Sequence, residues 1–461
     1  MGIILKQGLR NSIIQYAGVV LGFILTIWLF PKTITPDQFG LTRVMLAIAS
    51  LTSMVGDLGI RHTTIKYFPY FHNEEKGHHG ILAWIFLIPL LGISIICGLF
   101  YLFQESIIAY YDSQSDLFGQ YYNYLFVLLF TFLYFELLIT YLQAQLDTVK
   151  ASFLQHVLVR FFVIIALTAH YFGMITFHQF VIAFIASYAI QPFLIIGYLV
   201  ASGKFSIKPD LEFLNLNFVK EMLIYGGYNM IGGLTTLVVG KVDIIMLGAM
   251  TTLDNSGIYA VAFYVGSVIL VPRQGITKIA LPVIAQAFKR NDLKQIRKIY
   301  QKTAHNQLMV GLLLYIGIWA NMHNLMDILP KAYQSGTYVI LIIGAARLFD
   351  MSTGINGGII KNSEFYRFSV IANVILVVAT LITNYIFIPM FGVMGAAIAT
   401  GFSIMFYNAI KVWYVWLKLK MQPFHLKSFW IVLVGAGVLL LAWQVDPIYN
   451  LYVDIIARST G

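Results

Sequence analysis

The feature that most constrains this chain is the recurrence of long, nearly uncharged apolar runs, at about 13–30, 39–60, 80–103, 121–143, 151–173 and 178–201. About twenty apolar residues in a helix match the ~30 Å hydrocarbon core of a bilayer. A charged stretch, 204–220, separates these six runs from a second set at about 221–250, 256–285, 304–328, 334–358, 365–388 and 392–417, and one more follows at 428–443. The pattern predicts about thirteen membrane spans. Composition agrees: of 461 residues 59% are hydrophobic and 11% charged, against about 25% charged in soluble domains. A soluble globular protein is thereby excluded. The single cysteine, Cys97, leaves no internal disulfide and no cysteine-based metal site. Lys6 and Arg10 precede the first run, but no small-residue cleavage pattern follows, so the first run reads as a retained helix.

The net charge of +10 does not point to nucleic acid, which needs a basic face on a folded soluble domain. The basic residues lie between apolar runs and orient them. With the N-terminus in the cytoplasm, twenty of the 30 Lys and Arg residues fall in cytoplasmic loops, three (Lys32, Lys331 and Arg458) fall outside, and seven lie within spans. The external loop around Glu105, Asp112 and Asp116 is acidic. The expected topology is therefore N-terminus in.

The two sets of six look like copies. Thr35-Pro36-Asp37-Gln38-Phe39-Gly40-Leu41 is echoed by Thr252-Leu253-Asp254-Asn255-Ser256-Gly257-Ile258, and Gly59-Ile60 by Gly275-Ile276, at the same places in the two halves. Six spans per copy make the repeats parallel, a recurrent transporter plan. The expected fold is all-α and polytopic, with an N-lobe at 1–210, a C-lobe at 211–425, and an extra C-terminal helix and tail at 426–461.

Ionisable residues inside spans are the informative ones, because a charge at bilayer depth costs several kcal/mol unless it faces a cavity or partner. The cations are Arg43, Arg160, Lys241, Arg273, Lys278, Arg347 and Lys411; the acids are Asp57, Glu136, Asp243 and Asp350. Arg43, Asp57, Lys278 and Lys411 lie near span ends, where snorkelling accounts for them. Arg160, Lys241, Arg273 and Arg347 lie deeper and point to a water-filled, cation-lined cavity. Two pairings are open alternatives, Arg347 with Asp350 and Lys241 with Asp243; either would make its members structural. His156 and Arg160, four apart on one helix face, form either a proton-sensitive site or a satisfied polar pair. Glu136, Asp243, Asp350 and His156 are thus the candidates for coupling or pairing.

Other segments invite structural readings. Gly18 and Gly22 form a GxxxG suited to close packing, and Gly226-Gly227 with Gly232-Gly233 could bend the seventh span or pack closely. Segment 286–302 sets Phe288, Leu293, Ile296, Ile299 and Tyr300 against Lys and Arg, as in a helix lying in the cytoplasmic interface. No phosphate-binding loop of the G-x-x-x-x-G-K-[ST] type, no H-E-x-x-H and no G-x-S-x-G occurs, and no catalytic constellation can be assembled. No cofactor and no metal are expected, and the chain reads as a non-enzyme.

At this point the residues resemble a known family. Pro36-Asp37-Gln38-Phe39-Gly40 before a helix ending Gly56-Asp57-Leu58-Gly59-Ile60, Lys241-Val242-Asp243 through Gly248, Ser256 through Ala262, and Phe391 through Thr400 are similar to bacterial polysaccharide flippases. These belong to the multidrug/oligosaccharidyl-lipid/polysaccharide exporter superfamily, with the multidrug extruders and lipid II flippases. The resemblance implies two pseudo-symmetric six-helix lobes around a central cavity (MATE-like), alternating access, and movement of undecaprenyl-diphosphate-linked oligosaccharide from the cytoplasmic to the outer leaflet of the bacterial inner membrane for surface polysaccharide assembly. Partners would be that lipid, the bilayer and polysaccharide polymerase machinery. Lipid II flippases carry cations in the first helix and drug extruders commonly an acid there; 13–30 has neither. Family members often finish with two helices after the twelve, and this chain has one, as a truncated C-terminus would. A cation-lined cavity suits a diphosphate, whereas a drug cation needs acids. The alternatives are a multidrug extruder on the same fold and an integral-membrane glycan transferase or polymerase.

Overall fold

The computed structural model describes residues 2–73, 76–111, 116–210, 213, 216–444 and 454. Asp112 of the acidic loop and Arg458, with the rest of the tail apart from Asp454, lie outside the described residues.

Among the described residues every regular element is helical. Eight helices are long and apolar enough to cross a membrane, or up to eleven when three bent pairs are each taken as one span. The helix Tyr366–Leu419 is 54 residues long, about 80 Å and far more than one crossing needs. It breaks at Gly392, whose φ of 54° and ψ of −127° lie where only glycine sits without strain, and so supplies two spans. With the apolar helix Leu426–Gln444 this is the thirteen-span pattern of the sequence. The protein is a multi-pass, all-α membrane protein.

The chain forms two compact units, Met1–Lys241 with Thr252–Asp254, and Val242–Thr251 with Asn255–Gly461. The change of unit falls just after the helix Leu216–Met250 leaves helical geometry at Val239 and Gly240. Helical geometry holds across the glycine pairs Gly226-Gly227 and Gly232-Gly233, and the span bends by 56° between Asn217–Thr235 and Leu237–Met250, just past the second pair.

In the first unit the helix Leu117–Ala144 is the hub and packs on Pro36–Gly56, Ile60–Phe71 and Phe177–Ala201. Leu128, Leu129, Leu133, Leu138 and Leu142 on it are fully buried, as are Phe39, Leu41 and Val44; within a bilayer such contacts stabilise by close van der Waals packing, since lipid tails are as apolar as leucine. In the second unit Thr337–Ser352 packs between Leu293–Ala320 and Tyr366–Leu419, burying Val339, Ile340, Ile343 and Ala346.

Segment 286–302 is not one interfacial helix. The helix Val271–Lys289 ends, and Leu293–Ala320 starts on an Asp292 cap that accepts from the Gln295 amide at 2.9 Å. Ile296 and Tyr300, read as membrane-facing, are fully buried in a cluster with Ile284, Ile359 and Val415. An apolar face four residues apart serves a protein core as well as a lipid surface, and here the neighbouring helices cover it.

Candidate functional site

The first unit gathers Arg43, Arg160 and Lys241. Helix Thr148–Phe153 runs into a π-helical turn, Leu154–Leu158, before continuing as Val159–Tyr171. Such wide turns often occur at functional sites; this one carries His156 and leads directly into Arg160. The Arg160 guanidinium donates from Nη1 to the His156 carbonyl at 3.0 Å. Gly18 lies against both: a Cβ there would fall 2.7 Å from Arg160 Nη1 and 2.8 Å from His156 Cβ. The GxxxG of the first span therefore makes room for the arginine. His156 and Arg160 thus share a helix face, and their described contact runs through the main chain.

Arg43 stands over two rings, 4.9 Å from Phe30 and 4.6 Å from Phe39. Its charge and that of Arg160 both act on the Tyr188 hydroxyl, and its charge also acts on Lys241. Arg43 thus joins the deep cations and is not a snorkelling side chain. Its position about two turns inside the helix Pro36–Gly56, one turn after Phe39, was the available signal.

Asp57 is fully buried and pairs with Arg61 at 3.1 Å, and Arg61 also holds Glu136 at 3.2 Å. Snorkelling is therefore wrong for Asp57, and Glu136 has a described structural partner. The three close the turn at the end of the second span.

The second unit builds its charges into two adjoining clusters. Asp243, fully buried, accepts from Asn384 Nδ2 at 2.7 Å, Thr400 Oγ1 at 2.6 Å and Tyr259 at 2.5 Å. These three neutral donors take the place of the Lys241 considered as its partner. They come from helices 141 and 157 positions along the chain for Asn384 and Thr400, which no local pattern announces. Asn384 Oδ1 is buried without a hydrogen-bond partner among the described residues, so the pocket is rich in oxygen. It could hold a proton or a small hard cation.

In the second cluster Asp350, 8% exposed, forms an ion pair with Arg273 of a different helix. The i, i+3 pairing of Arg347 with Asp350 gives way to this contact. Arg347 instead stands 5.3 Å over the Phe263 ring, with Asp350 and Asp243 near enough for their charges to act on it. Lys411, read as snorkelling, is buried at 5% exposure, with Nζ 3.9 Å over the Tyr407 ring. Lys278 alone of the four end-of-span residues is exposed. Among the described residues no group of three or more His, Cys, Asp or Glu could hold a metal ion.

These helices and buried charges define a polytopic all-α membrane protein, and comparison with solved structures gives the fold its relatives. A lipid II flippase, MurJ, in an inward closed conformation superposes with a TM-score of 0.75 at 15% identity, over 97% of this chain and 96% of that one. An inward-facing MATE multidrug resistance transporter of the MOP superfamily gives 0.67 at 13% identity, over 94% and 98%. At these identities the likeness is one of fold. Residues 4–288 match the polysaccharide biosynthesis protein family, to which the chain belongs. Among curated proteins it is similar to the probable low-salt glycan biosynthesis flippase Agl15 of Haloferax volcanii, 22% identical over 205 residues. That match spans 44% of this chain and 43% of Agl15.

Proposed function

We propose that the protein is a flippase that carries a lipid-linked oligosaccharide across the bilayer for surface polysaccharide assembly, without catalysing a covalent reaction. The finer reading is an undecaprenyl-diphosphate carrier moved from the cytoplasmic to the outer leaflet of a bacterial inner membrane by alternating access of lobes 1–210 and 211–425, with the N-terminus in the cytoplasm. One observation carries it: the sign of the charge inside the spans. Arg43, Arg160 and Lys241 in one unit, and Arg273, Arg347 and Lys411 in the other, outnumber the buried acids, and a diphosphate is the head group such sites recognise.

Arg160, Lys241, Arg273 and Arg347 are the proposed phosphate ligands, with Arg43 added to them. The membrane potential favours the direction: moving a charge of about −2 outward across about 100 mV, negative inside, releases at most roughly 4.6 kcal/mol. Asp243 is the proposed coupling residue, because a buried carboxylate with neutral donors gains most from taking up a proton or cation.

Mass spectrometry of lipid retained by the purified protein tests this reading. A polyprenyl diphosphate bearing sugars is expected. Recovery of ordinary phospholipid only, together with resistance of expressing cells to cationic dyes, would favour the multidrug extruder.

A further inference from the structure

We propose that Asp350 is a resident stand-in for the substrate's phosphate, holding Arg273 until the diphosphate displaces it and taking Arg273 back as the product leaves. This rests on the reading of the site as one for a diphosphate, and it assigns the neighbouring carboxylate a part in specificity and release.

The composition of the cluster motivates it. Arg273, Arg347 and Lys411 all lie close enough to Asp350 for their charges to act on it, yet among the described residues only Arg273 makes a salt bridge with it. Asp243, the other carboxylate whose charge reaches Arg347, is already occupied by Tyr259, Asn384 and Thr400. Three cations therefore share one directly paired carboxylate. A buried pair built only for stability would have its hydrogen-bonding capacity filled on both sides. Here the surplus is on the donor side: Arg347 Nε is buried with no hydrogen-bond partner among the described residues, and the Lys411 ammonium rests on a ring face. Buried donors without acceptors in a native structure call for an explanation. A phosphate group supplies several acceptors at once, and a carboxylate supplies two.

The geometry also allows release. Asp350 begins the last turn of the helix Thr337–Ser352, where Thr353 Oγ1 bonds its carbonyl at 2.8 Å. Its main chain is thus held independently of its side chain. Asn408, whose amide lies beside the carboxylate, accepts from Thr353 Oγ1 and Asn356 Nδ2, each at 3.3 Å. A carboxylate that leaves Arg273 therefore remains among polar neighbours.

The test uses the full-length protein in nanodiscs with farnesyl diphosphate as probe, read by binding, and vesicles carrying a lipid-linked oligosaccharide, read by transbilayer movement. Asp350→Asn should bind farnesyl diphosphate about tenfold or more tighter than wild type and move lipid several-fold more slowly, because release no longer has its competitor. Asp350→Glu, which keeps the charge, should fall between wild type and Asp350→Asn in both. Arg273→Gln should bind the probe about tenfold more weakly. Lys411→Met with and without Asp350→Asn repeats the comparison with the local charge restored, should Asp350→Asn alone not fold; the double variant should bind more tightly than Lys411→Met. If removing the carboxylate leaves binding unchanged or weaker while Arg273→Gln still weakens it, the stand-in role is wrong and the diphosphate site remains. If Arg273→Gln binds like wild type, the diphosphate reading of this cation fails first.

Discussion

In the first unit Asp57 and Glu136 pair with an arginine at a turn, and in the second unit Asp350 is placed among the deep cations. Asp57 and Glu136 are gathered by Arg61 at a turn, whereas Arg43 stands over two ring faces and Arg160 donates to a main-chain carbonyl. In the second unit Asp350 engages Arg273 directly, and its charge and that of Asp243 both reach Arg347. The difference assigns different work to similar residue types. A cation resting on a ring face or a carbonyl keeps its positive potential, which suits it to attracting an anion. A carboxylate partner makes the positive charge conditional on what else is bound.

The contrast makes its largest prediction at the cations themselves. Arg160→Gln and Arg347→Gln should each reduce surface polysaccharide in a complementation assay by tenfold or more, at normal protein level, since a charge-assisted hydrogen bond is worth about 1.5–3 kcal/mol. The corresponding Lys variants should retain part of the activity, keeping charge but losing the two-pronged geometry. Equal activity of Gln and Lys variants would mean that charge does not matter at that position.

Next in size is Asp243→Asn. The replacement exchanges an acceptor-only group for one whose NH2 faces the donors Tyr259, Asn384 and Thr400, so about 1–3 kcal/mol of stability should be lost, together with any dependence of transport on the coupling ion. Denaturation in detergent reads the first and transport under varied ion gradients the second. An ion dependence that survives intact would move coupling elsewhere.

A smaller effect is expected at Gly18. Gly18→Ala places a Cβ 2.7 Å from Arg160 Nη1, so the guanidinium must shift. A cost of about 1 kcal/mol in stability should accompany a measurable loss of transport, while Gly98→Ala, with open space around its Cβ, should cost neither. Thermal unfolding and the complementation assay together distinguish the two.

The smallest effect lies outside the membrane. His79 hydrogen-bonds Asp210 at 2.7 Å and stacks 4.1 Å from Phe213, tying the connection after Phe177–Ala201 to the loop before Ile81–Leu102. That hydrogen bond holds the Asp210 carboxyl below its ordinary value. A depressed carboxyl contributes stability above the ordinary value of about 3.9 and loses it as pH falls through the lower folded value. Amide hydrogen exchange across 204–210, corrected for its intrinsic pH dependence, should therefore speed up only in acid, and Asp210→Asn should remove that acid step.

The sequence made the spans legible because burial in lipid leaves runs of twenty apolar residues that no loop interrupts, down to the break at Gly392. It also showed which few charges fall within those runs, Arg160, Lys241, Arg273 and Arg347 among them. Partners were not legible. Asp350 meets Arg273 across 77 positions and Asp243 meets Thr400 across 157, whereas spacing reveals only neighbours on one helix, which is why Arg347 was considered for Asp350. Arg43 and Lys411 were misjudged for a related reason. Distance from a span end is a guide to snorkelling only where the end faces solvent, and packing on Phe30, Phe39 and Tyr407 removes that exit.

The most direct measurement of the central claim is transbilayer movement in vesicles of defined composition. An undecaprenyl-diphosphate-linked oligosaccharide is placed in one leaflet, and its arrival in the other is read by an impermeant glycan-binding probe. The account predicts that the wild-type protein accelerates arrival well above protein-free vesicles and that Arg160→Gln and Arg347→Gln lose most of that acceleration. Movement no faster than in protein-free vesicles, or an acceleration that both variants retain in full, would contradict it.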